Sequence, residues 1–172
     1  MALTQVIGRG LGTQTTLAGS NTLVLDTDGI MTKPLQPAFS VTKSGHQSDY
    51  AAGTETTITF DTERFDQNGD FSSNTFTAPV TGRYQLSYNL YMDGLTDDAG
   101  YYQGNLNTSN RSYYYIFDPD FGQDAGYWNM NMSLLVDMDA NDTATISITA
   151  HSGASGANDL NAVSSFHGFL AC

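Results

Sequence analysis

A strict alternation of apolar and polar residues constrains the fold of this chain more than any other feature. From Trp128 to Asp139, every even-numbered residue is apolar, and every odd-numbered residue except Leu135 is polar. A period of two places successive side chains on opposite faces of a β-strand. This stretch is therefore predicted to be a long strand with one buried face. Its three even-numbered methionines are interpreted as core packing and not as a soft metal site, because Met fills irregular gaps well.

The same period of two recurs in three other segments of the chain. Their apolar faces consist of Ile58 and Phe60, of Tyr84, Leu86, Tyr88, Leu90 and Met92, and of Ala144, Ile146, Ile148 and Ala150. Turn-forming sequences such as Asn68-Gly69-Asp70 and Ala140-Asn141-Asp142 lie between the segments. Several strands at this spacing predict a β-sandwich or jelly roll.

The composition also favours an all-β fold. Asp accounts for 16 of the 18 acidic residues, and lysine occurs only at Lys33 and Lys43. Glu and Lys are common in surface helices, whereas the Thr, Ser, Asn and Tyr that fill this chain suit strands and turns. We therefore expect little helix.

The chain of 172 residues fits one domain with an appendage at its N-terminus. Residues 1–36 are interrupted by glycines, and their only clear apolar run is Leu23-Val24-Leu25. Pro34 and Pro37 mark the junction with the alternating segments. We predict a domain at 37–172 and an extended arm at 1–36, which has too few apolar residues for a core of its own and is either disordered alone or ordered by packing against a neighbour.

Charge and hydropathy exclude several classes of partner. The formal charge of −12 opposes binding to nucleic acid or anionic lipid. No run approaches the roughly 18 apolar residues that span a bilayer, and the first residues do not resemble a secretory signal. Cys172 is the single cysteine, so no intramolecular disulfide is expected.

No catalytic, cofactor-binding or metal-binding residue is predicted. His46, His151 and His167 lie in unrelated segments, and no base is expected beside Cys172. The glycine-rich stretch at residues 8–12 lacks the preceding strand and following helix of a phosphate loop. The Asn-x-Ser/Thr sequons at Asn107, Asn110, Asn131 and Asn141 are attributed to chance in an Asn- and Thr-rich chain.

Aromatic residues are concentrated within 28 positions. They are Tyr101, Tyr102, Tyr113, Tyr114, Tyr115, Phe117, Phe121, Tyr127 and Trp128. Alternation along a strand would place Tyr113 and Tyr115 on one face and Tyr114 on the other. One set should then lie outside the core, where Tyr is favoured at protein interfaces. A contact between subunits is the preferred interpretation, and a surface that stacks on sugars or a partner protein is the alternative.

Three blocks of sequence resemble the C1q globular domain. The first is the hallmark Phe76-Thr77-Ala78-Pro79-Val80-Thr81-Gly82-Arg83-Tyr84, in which a short strand enters a turn and leaves as a long strand. The second is the closing strand, Ser165-Phe166-His167-Gly168-Phe169-Leu170, and the third is the opening Ala38-Phe39-Ser40. Matching positions also occur from Phe65 to Asp70 and from Leu134 to Thr145, so the resemblance covers about residues 37–172 in order.

The resemblance implies a ten-stranded jelly roll that assembles as a homotrimer, like the C1q and tumour necrosis factor families. A collagen-like stalk and a cysteine pair are missing, which distinguishes the chain from ordinary animal C1q-type proteins. The opening Met1-Ala2-Leu3-Thr4-Gln5-Val6 is similar to that of small C1q-like proteins of tailed bacteriophages. The tract from Asn107 to Tyr114, with Phe117-Asp118-Pro119, resembles the same phage proteins.

Calcium is an alternative at two acidic loops. Asp66, Asn68 and Asp70 place oxygen atoms at every second position, as a calcium loop does, but the later bidentate Glu is missing. Asp118, Asp120 and Asp124 form the second group, and some members of the family that the chain resembles bind calcium near the trimer axis. Solvated turns are the preferred interpretation of both groups, so the expected cofactor is none.

These observations together predict a non-enzymatic structural protein of a phage particle, located in the virion. The arm at 1–36 would contact other virion proteins, and the trimeric head would project towards a host-surface glycan or protein, as in a tail-associated or fibre-like protein. Capsid decoration is the first alternative, since trimers suit local three-fold positions. A cellular C1q-like module that binds carbohydrate or protein is the second.

Overall fold

The computed structural model describes residues 14–16, 23–154 and 158–172. The chain divides into two compact units, Met1–Gln36 and Pro37–Cys172. In the first unit, β1 (Gln14–Thr16), β2 (Val24–Asp26) and β3 (Met31–Thr32) form an antiparallel sheet in the order β1-β2-β3. The segment predicted as an extended arm therefore contains a three-stranded sheet in its described part, which the sequence did not indicate. The predictions for the opening hexapeptide and for the glycine-rich stretch at residues 8–12 fall outside the described residues.

The second unit is built from twelve strands in its described part. They are β4 (Ala38–Thr42), β5 (Thr56–Thr57), β6 (Thr62–Asp66), β7 (Phe71–Ser72), β8 (Thr75–Thr77), β9 (Gly82–Leu95), β10 (Tyr102–Thr108), β11 (Ser112–Phe117), β12 (Ala125–Met138), β13 (Thr143–Ala150), β14 (Asp159–Leu160) and β15 (Ser165–Leu170). The all-β prediction is confirmed. The predicted count of ten strands is not confirmed, since the described part has twelve. Three of these, β5, β7 and β14, are only two residues long.

The strands form two sheets in which every pairing is antiparallel. The first sheet has the order β12-β9-β15-β4-β6, with β14 paired to β9. The second sheet has the order β11-β10-β13-β8-β7, with β5 paired to β13. No helix in the described residues is long and apolar enough to cross a bilayer. Most neighbours within each sheet come from distant parts of the sequence, as jelly-roll topology requires, whereas β7–β8 and β10–β11 are pairs of consecutive strands.

The alternation predicted for residues 128–139 is confirmed in β12. Met130, Val136 and Met138 are buried, and the remaining even-numbered positions are partly buried against the core. The odd-numbered positions from Asn129 to Asp137 are exposed. β9 shows the same pattern from Tyr84 to Met92, so the two longest strands bury their even-numbered faces together.

Aromatic rings fill one end of the core. Phe39 stacks on Phe76 with a centroid separation of 4.6 Å, and Phe166 meets Phe39 edge to face at 4.9 Å. Tyr84 is fully buried, and its hydroxyl donates a hydrogen bond of 2.7 Å to the Val80 carbonyl. This bond closes the turn between β8 and β9, which is the strand–turn–strand arrangement predicted for the hallmark segment.

Candidate functional site

The first sheet exposes one face to solvent, and this surface is called the His167 face below. It is formed by the side chains that alternate with the core residues on five strands. Its members are Ala38, Ser40 and Thr42 on β4, Phe65 on β6, Gln85, Ser87, Asn89 and Tyr91 on β9, Asn129, Asn131, Ser133 and Leu135 on β12, and Ser165, His167 and Phe169 on β15. The second sheet covers only the opposite side of these strands, so this face has no partner within the unit.

One row of register partners crosses the middle of the His167 face. It runs from Phe65 through Ser40, His167 and Ser87 to Ser133, one residue from each of the five strands. The hydroxyls of Ser87 and Ser133 lie 2.7 Å apart. Because β15 is the central strand of the five, His167 stands at the centre of the face.

Two shallow hollows lie on either side of His167. The first, of about 550 Å³, is lined by Ala38, Phe39, Ser40, Phe65, His167, Gly168 and Phe169. The second, of about 390 Å³, is lined by Ser87, Tyr88, Asn89, Asn131, Met132, Ser133 and His167. Phe65 and Phe169 are about half exposed at the first hollow, and Leu135 is similarly exposed on β12. Large apolar side chains grouped on one sheet face are a frequent mark of a contact surface.

The charge of the His167 face contrasts with that of the chain. The chain carries 18 acidic residues, yet the members of the face on β4, β9, β12 and β15 include no Asp, Glu, Lys or Arg between its two ends, and the charged residues Glu63, Arg64 and Asp66 are confined to the edge strand β6. Arg83 and Asp137 pair across one end, and Asp93 lies at the other. The centre of the face instead presents amides, hydroxyls and apolar groups. Depletion of charge in an otherwise acidic surface is typical of the core of a protein interface.

His167 differs electrostatically from the groups around it. Burial against its neighbours lowers the pKa of its imidazole, because desolvation disfavours the charged form. The side chains beside it in register, Ser40 and Ser87, are uncharged. It is the one imidazole on the central face, and no charged side chain neighbours it in register.

A polar cluster borders the far end of the face. The Asp93 carboxylate lies 3.6 Å from His46 Nδ1 and accepts a hydrogen bond of 3.0 Å from Asn161 Nδ2. Next to it in the sheet, the rings of Tyr91 and Tyr127 are 5.8 Å apart, and Tyr127 is 70% exposed. The uncharged surface therefore ends at a carboxylate that lies beside an imidazole.

The three histidines lie in three different environments. His46 lies beside Asp93, His151 stacks on Tyr101 at 4.4 Å, and His167 is at the centre of its face. Cys172 is free and exposed. Within the described ranges, no three His, Cys, Asp or Glu residues are grouped to hold a metal ion.

The two acidic loops considered for calcium use their carboxylates in turn hydrogen bonds. Asp66 accepts from the amides of Asp70 and Phe71, at 3.0 and 2.8 Å. Burial and the nearby charge of Asp66 raise the pKa of Asp70. In the second loop, Asp118 accepts from the Asp120 amide at 3.2 Å.

Asp124 joins that second loop to its neighbour. Its carboxylate accepts from the Asp97 amide at 2.9 Å, and Asp97 accepts in turn from Phe121 and Gly122. The bonds hold the β9–β10 and β11–β12 connections together.

The aromatic run divides as its alternation predicts. Tyr113 and Tyr115 pair with Leu106 and Gly104 on the core side of the second sheet, although Tyr115 is still 40% exposed on this edge strand, and Tyr114 pairs with Asn105 on the other side and is 63% exposed. Four rings form a column from the core to the surface in the order Tyr102, Phe117, Trp128, Phe121, with centroid separations of 5.4, 5.0 and 5.4 Å. Part of the run is therefore core packing.

The remaining aromatic residues form an exposed edge. β11 and β12 are the edge strands of the two sheets, and they contact each other. Tyr115, Ile116, Phe121 and Tyr127 are exposed there, and the name aromatic edge is used below for these four residues. The aromatic edge adjoins the His167 face, because the Tyr127 ring lies 5.8 Å from Tyr91 of that face.

Sequence reasoning missed most of the His167 face. Phe65, Leu135 and Phe169 were not selected as site residues, because exposed apolar residues are common on single strands. The available signal was the odd-numbered half of β9, in which Gln85, Ser87 and Asn89 are all uncharged in a strongly acidic chain.

The fold and its exposed sheet face define a jelly-roll domain of the C1q and tumour necrosis factor type. The family model for the C1q domain matches residues 38–171, and the chain belongs to this family. The globular domain of zebrafish complement 1qA protein superposes with a TM-score of 0.57 at 21% identity, covering 80% of this chain and 98% of that one. Murine APRIL superposes with a TM-score of 0.55 at 13% identity, covering 78% and 98%. No curated protein sequence matches the chain.

The family membership confirms the resemblance to the C1q globular domain found in the sequence. Domains of the C1q and tumour necrosis factor type typically form trimers and are generally non-enzymatic binding or structural modules. The match begins at residue 38, so it covers the second unit and not the first.

Proposed function

We propose that this protein is a non-enzymatic homotrimer whose subunits pack through the His167 face. The observation that carries the proposal is the absence of charge from the centre of this face in a chain of net charge −12. Association of three acidic chains is opposed by their mutual repulsion, so contact is favoured where no carboxylates meet. The half-exposed Phe65, Leu135 and Phe169 supply apolar area to bury there.

A closed trimer requires two different surfaces on each subunit, because a three-fold contact is heterologous. The His167 face is one of these, and the aromatic edge supplies the other in this proposal. Tyr115, Ile116 and Tyr127 would pack into the shallow hollows of the next subunit. Tyr is favoured in such contacts because it buries a large area and keeps a polar hydroxyl at the rim.

Light scattering of the full chain during size-exclusion chromatography tests this arrangement. We expect a mass of three chains for the wild type and the mass of one chain for Phe169→Asp or Leu135→Asp, because each variant buries an unpaired carboxylate in the contact. Val80→Asp is the matched control, since Val80 is equally exposed but lies in the turn before β9. A monomeric wild type, or trimeric face variants, would overturn the proposal.

We further propose that the trimer is a structural component of a bacteriophage virion, tail-associated or fibre-like, with a head that meets the host surface. The support is the similarity of the opening hexapeptide and of the tract from Asn107 to Tyr114 to small phage C1q-like proteins. Residues 1–36 would then dock other virion proteins, while the domain at 37–172 projects. Antibody labelling of purified particles tests this role: label on the tail supports it, label over the capsid favours decoration, and unlabelled particles favour a cellular binding module.

A further inference from the structure

We propose that His167 makes assembly of the homotrimer sensitive to pH, so that its protonation below neutral pH drives the subunits apart. This inference rests on the proposed packing of subunits through the His167 face. It concerns regulation of that contact, which trimer formation alone does not imply.

A subunit that packs against the centre of this face must cover the His167 side chain. His167 lies on the central strand of the five, in the middle of the stretch Ser165–Phe169 that pairs with β4. Its side chain lines both hollows of the face. A subunit that fills either hollow therefore contacts the imidazole and removes water from it.

No counter-charge within the subunit compensates for this loss of water. On β4 and β6 the nearest members of the row are Ser40 and Phe65, with Glu63 and Arg64 further along the edge strand. The facing groups on β9 and β12 are likewise uncharged. They are Gln85, Ser87, Asn89 and Ser133, and charged residues occur only at the ends, at Arg83, Asp93 and Asp137.

The side chains behind and opposite the imidazole are equally unable to hold its proton. Phe39, Leu86 and Tyr88 lie beneath the face in the core. On the aromatic edge of the neighbouring subunit, β11 has no charged residue between Arg111 and Asp118, and the carboxylates of that edge lie beside Phe121, at Asp118, Asp120 and Asp124, and beside Tyr127, at Asp93. In a contact in which Tyr115 and Ile116 of β11 fill the hollows, a protonated imidazole would thus be buried without an acidic partner, which is unfavourable.

The pKa of His167 is already lowered by burial in the single subunit, and coverage by a second subunit lowers it further. The neutral form is therefore favoured in the assembled state. Assembly is fully supported above the pKa of His167 in the free subunit, which lies below the ordinary histidine value of about 6.5, and weakens as pH falls through it. Three copies of His167 titrate together, so the trimer dissociation constant should rise by up to about a thousandfold per pH unit below it.

Analytical ultracentrifugation of the full chain between pH 8 and pH 5, at constant ionic strength, tests the inference. We expect a trimer at pH 8 that dissociates as the pH falls towards 5, with circular dichroism showing that the β-structure persists. His167→Gln and His167→Phe replace the titrating group by one that stays neutral, and both should remain trimeric at pH 5. His151→Gln is the control, since His151 stacks on Tyr101 away from the face, and it should dissociate like the wild type.

The outcomes separate this inference from the proposed trimer. A wild type that is monomeric at pH 8 would overturn the trimer and this inference together. A trimer with the same dissociation constant at pH 8 and pH 5 would overturn only the role of His167. Dissociation that persists in both His167 variants would also overturn that role, because the titrating group would lie elsewhere.

Discussion

At the scale of single residues, Gly168 shows how closely the last strand packs. It pairs with Leu86 on one side and Phe39 on the other. A Cβ added at this position would collide with the Leu86 side chain and approach the Gln85 carbonyl oxygen to 2.9 Å. The carbonyl belongs to a strand and cannot move aside. The sequence analysis identified this glycine as part of the closing strand, but the collision partners follow only from the register.

Gly168→Ala should therefore destabilise the domain through overpacking, by about 1–3 kcal/mol. Gly126→Ala is the control, because Gly126 also lies in a strand but a Cβ there would have nothing within 4 Å. Urea denaturation followed by tryptophan fluorescence measures both. Equal midpoints for the two variants would contradict the packing described for β15.

At the scale of elements, the Glu55 carboxylate, directly before β5, forms hydrogen bonds with side chains of the second sheet. β5 pairs with β13 over only two residues. The Glu55 carboxylate accepts hydrogen bonds from Asn107 Nδ2 at 2.9 Å, from Asn105 Nδ2 at 3.4 Å and from the Ser147 hydroxyl. Asn105 and Ser147 are buried beneath it, although they lie on the outward side of their strands. The carboxylate thus supplies a hydrogen-bond acceptor to polar groups that are shielded from water.

Glu55→Ala should loosen β5 without unfolding the domain, because it leaves buried donors short of an acceptor at a cost of about 1–3 kcal/mol. The local opening should raise hydrogen exchange of the Ile58 amide, which donates to the Ile146 carbonyl at 2.9 Å, by roughly ten- to a hundredfold. Glu63→Ala is the control on the exposed edge strand β6. Unchanged exchange in Glu55→Ala would show that strand pairing alone holds β5.

At the scale of the whole molecule, the division between residues 36 and 37 separates the matched C1q domain from the preceding unit. The domain has its own core, in which Phe39, Tyr84 and Phe166 are buried. The proposed assembly surfaces also lie entirely within it. Folding and assembly should therefore be properties of residues 37–172, whereas attachment to a particle is proposed for residues 1–36.

Deletion of residues 1–36 should accordingly leave a folded trimer that no longer joins virions. The mass in solution and incorporation into particles are measured separately, the second by immunoblotting of purified phage after complementation. The full chain supplied in the same way is the control. A truncated trimer that still incorporates would refute the docking role of the first unit.

Three of the four segments predicted as strands from their alternation are strands, β9, β12 and β13, whereas Ile58 and Phe60 are buried but lie between β5 and β6. Alternation depends only on the pleat of one strand, so the buried residues of β9 and β12 and the two faces of β11 follow from local pattern. The hallmark segment and the closing strand were also sufficient to identify the C1q family. The short strands β5, β7 and β14 escaped prediction, because two paired residues leave no periodic signal.

The His167 face could not be predicted, because it depends on which strands become neighbours. Its central row takes one residue from each of five segments. The first and last of these in the chain, at Ser40 and His167, are more than a hundred residues apart. Alternation indicates that Ser40, Ser87 and His167 point away from a core, but not that they share one surface. Long-range strand pairing and its register bring them together, and so place a single titratable side chain at the centre of an uncharged face.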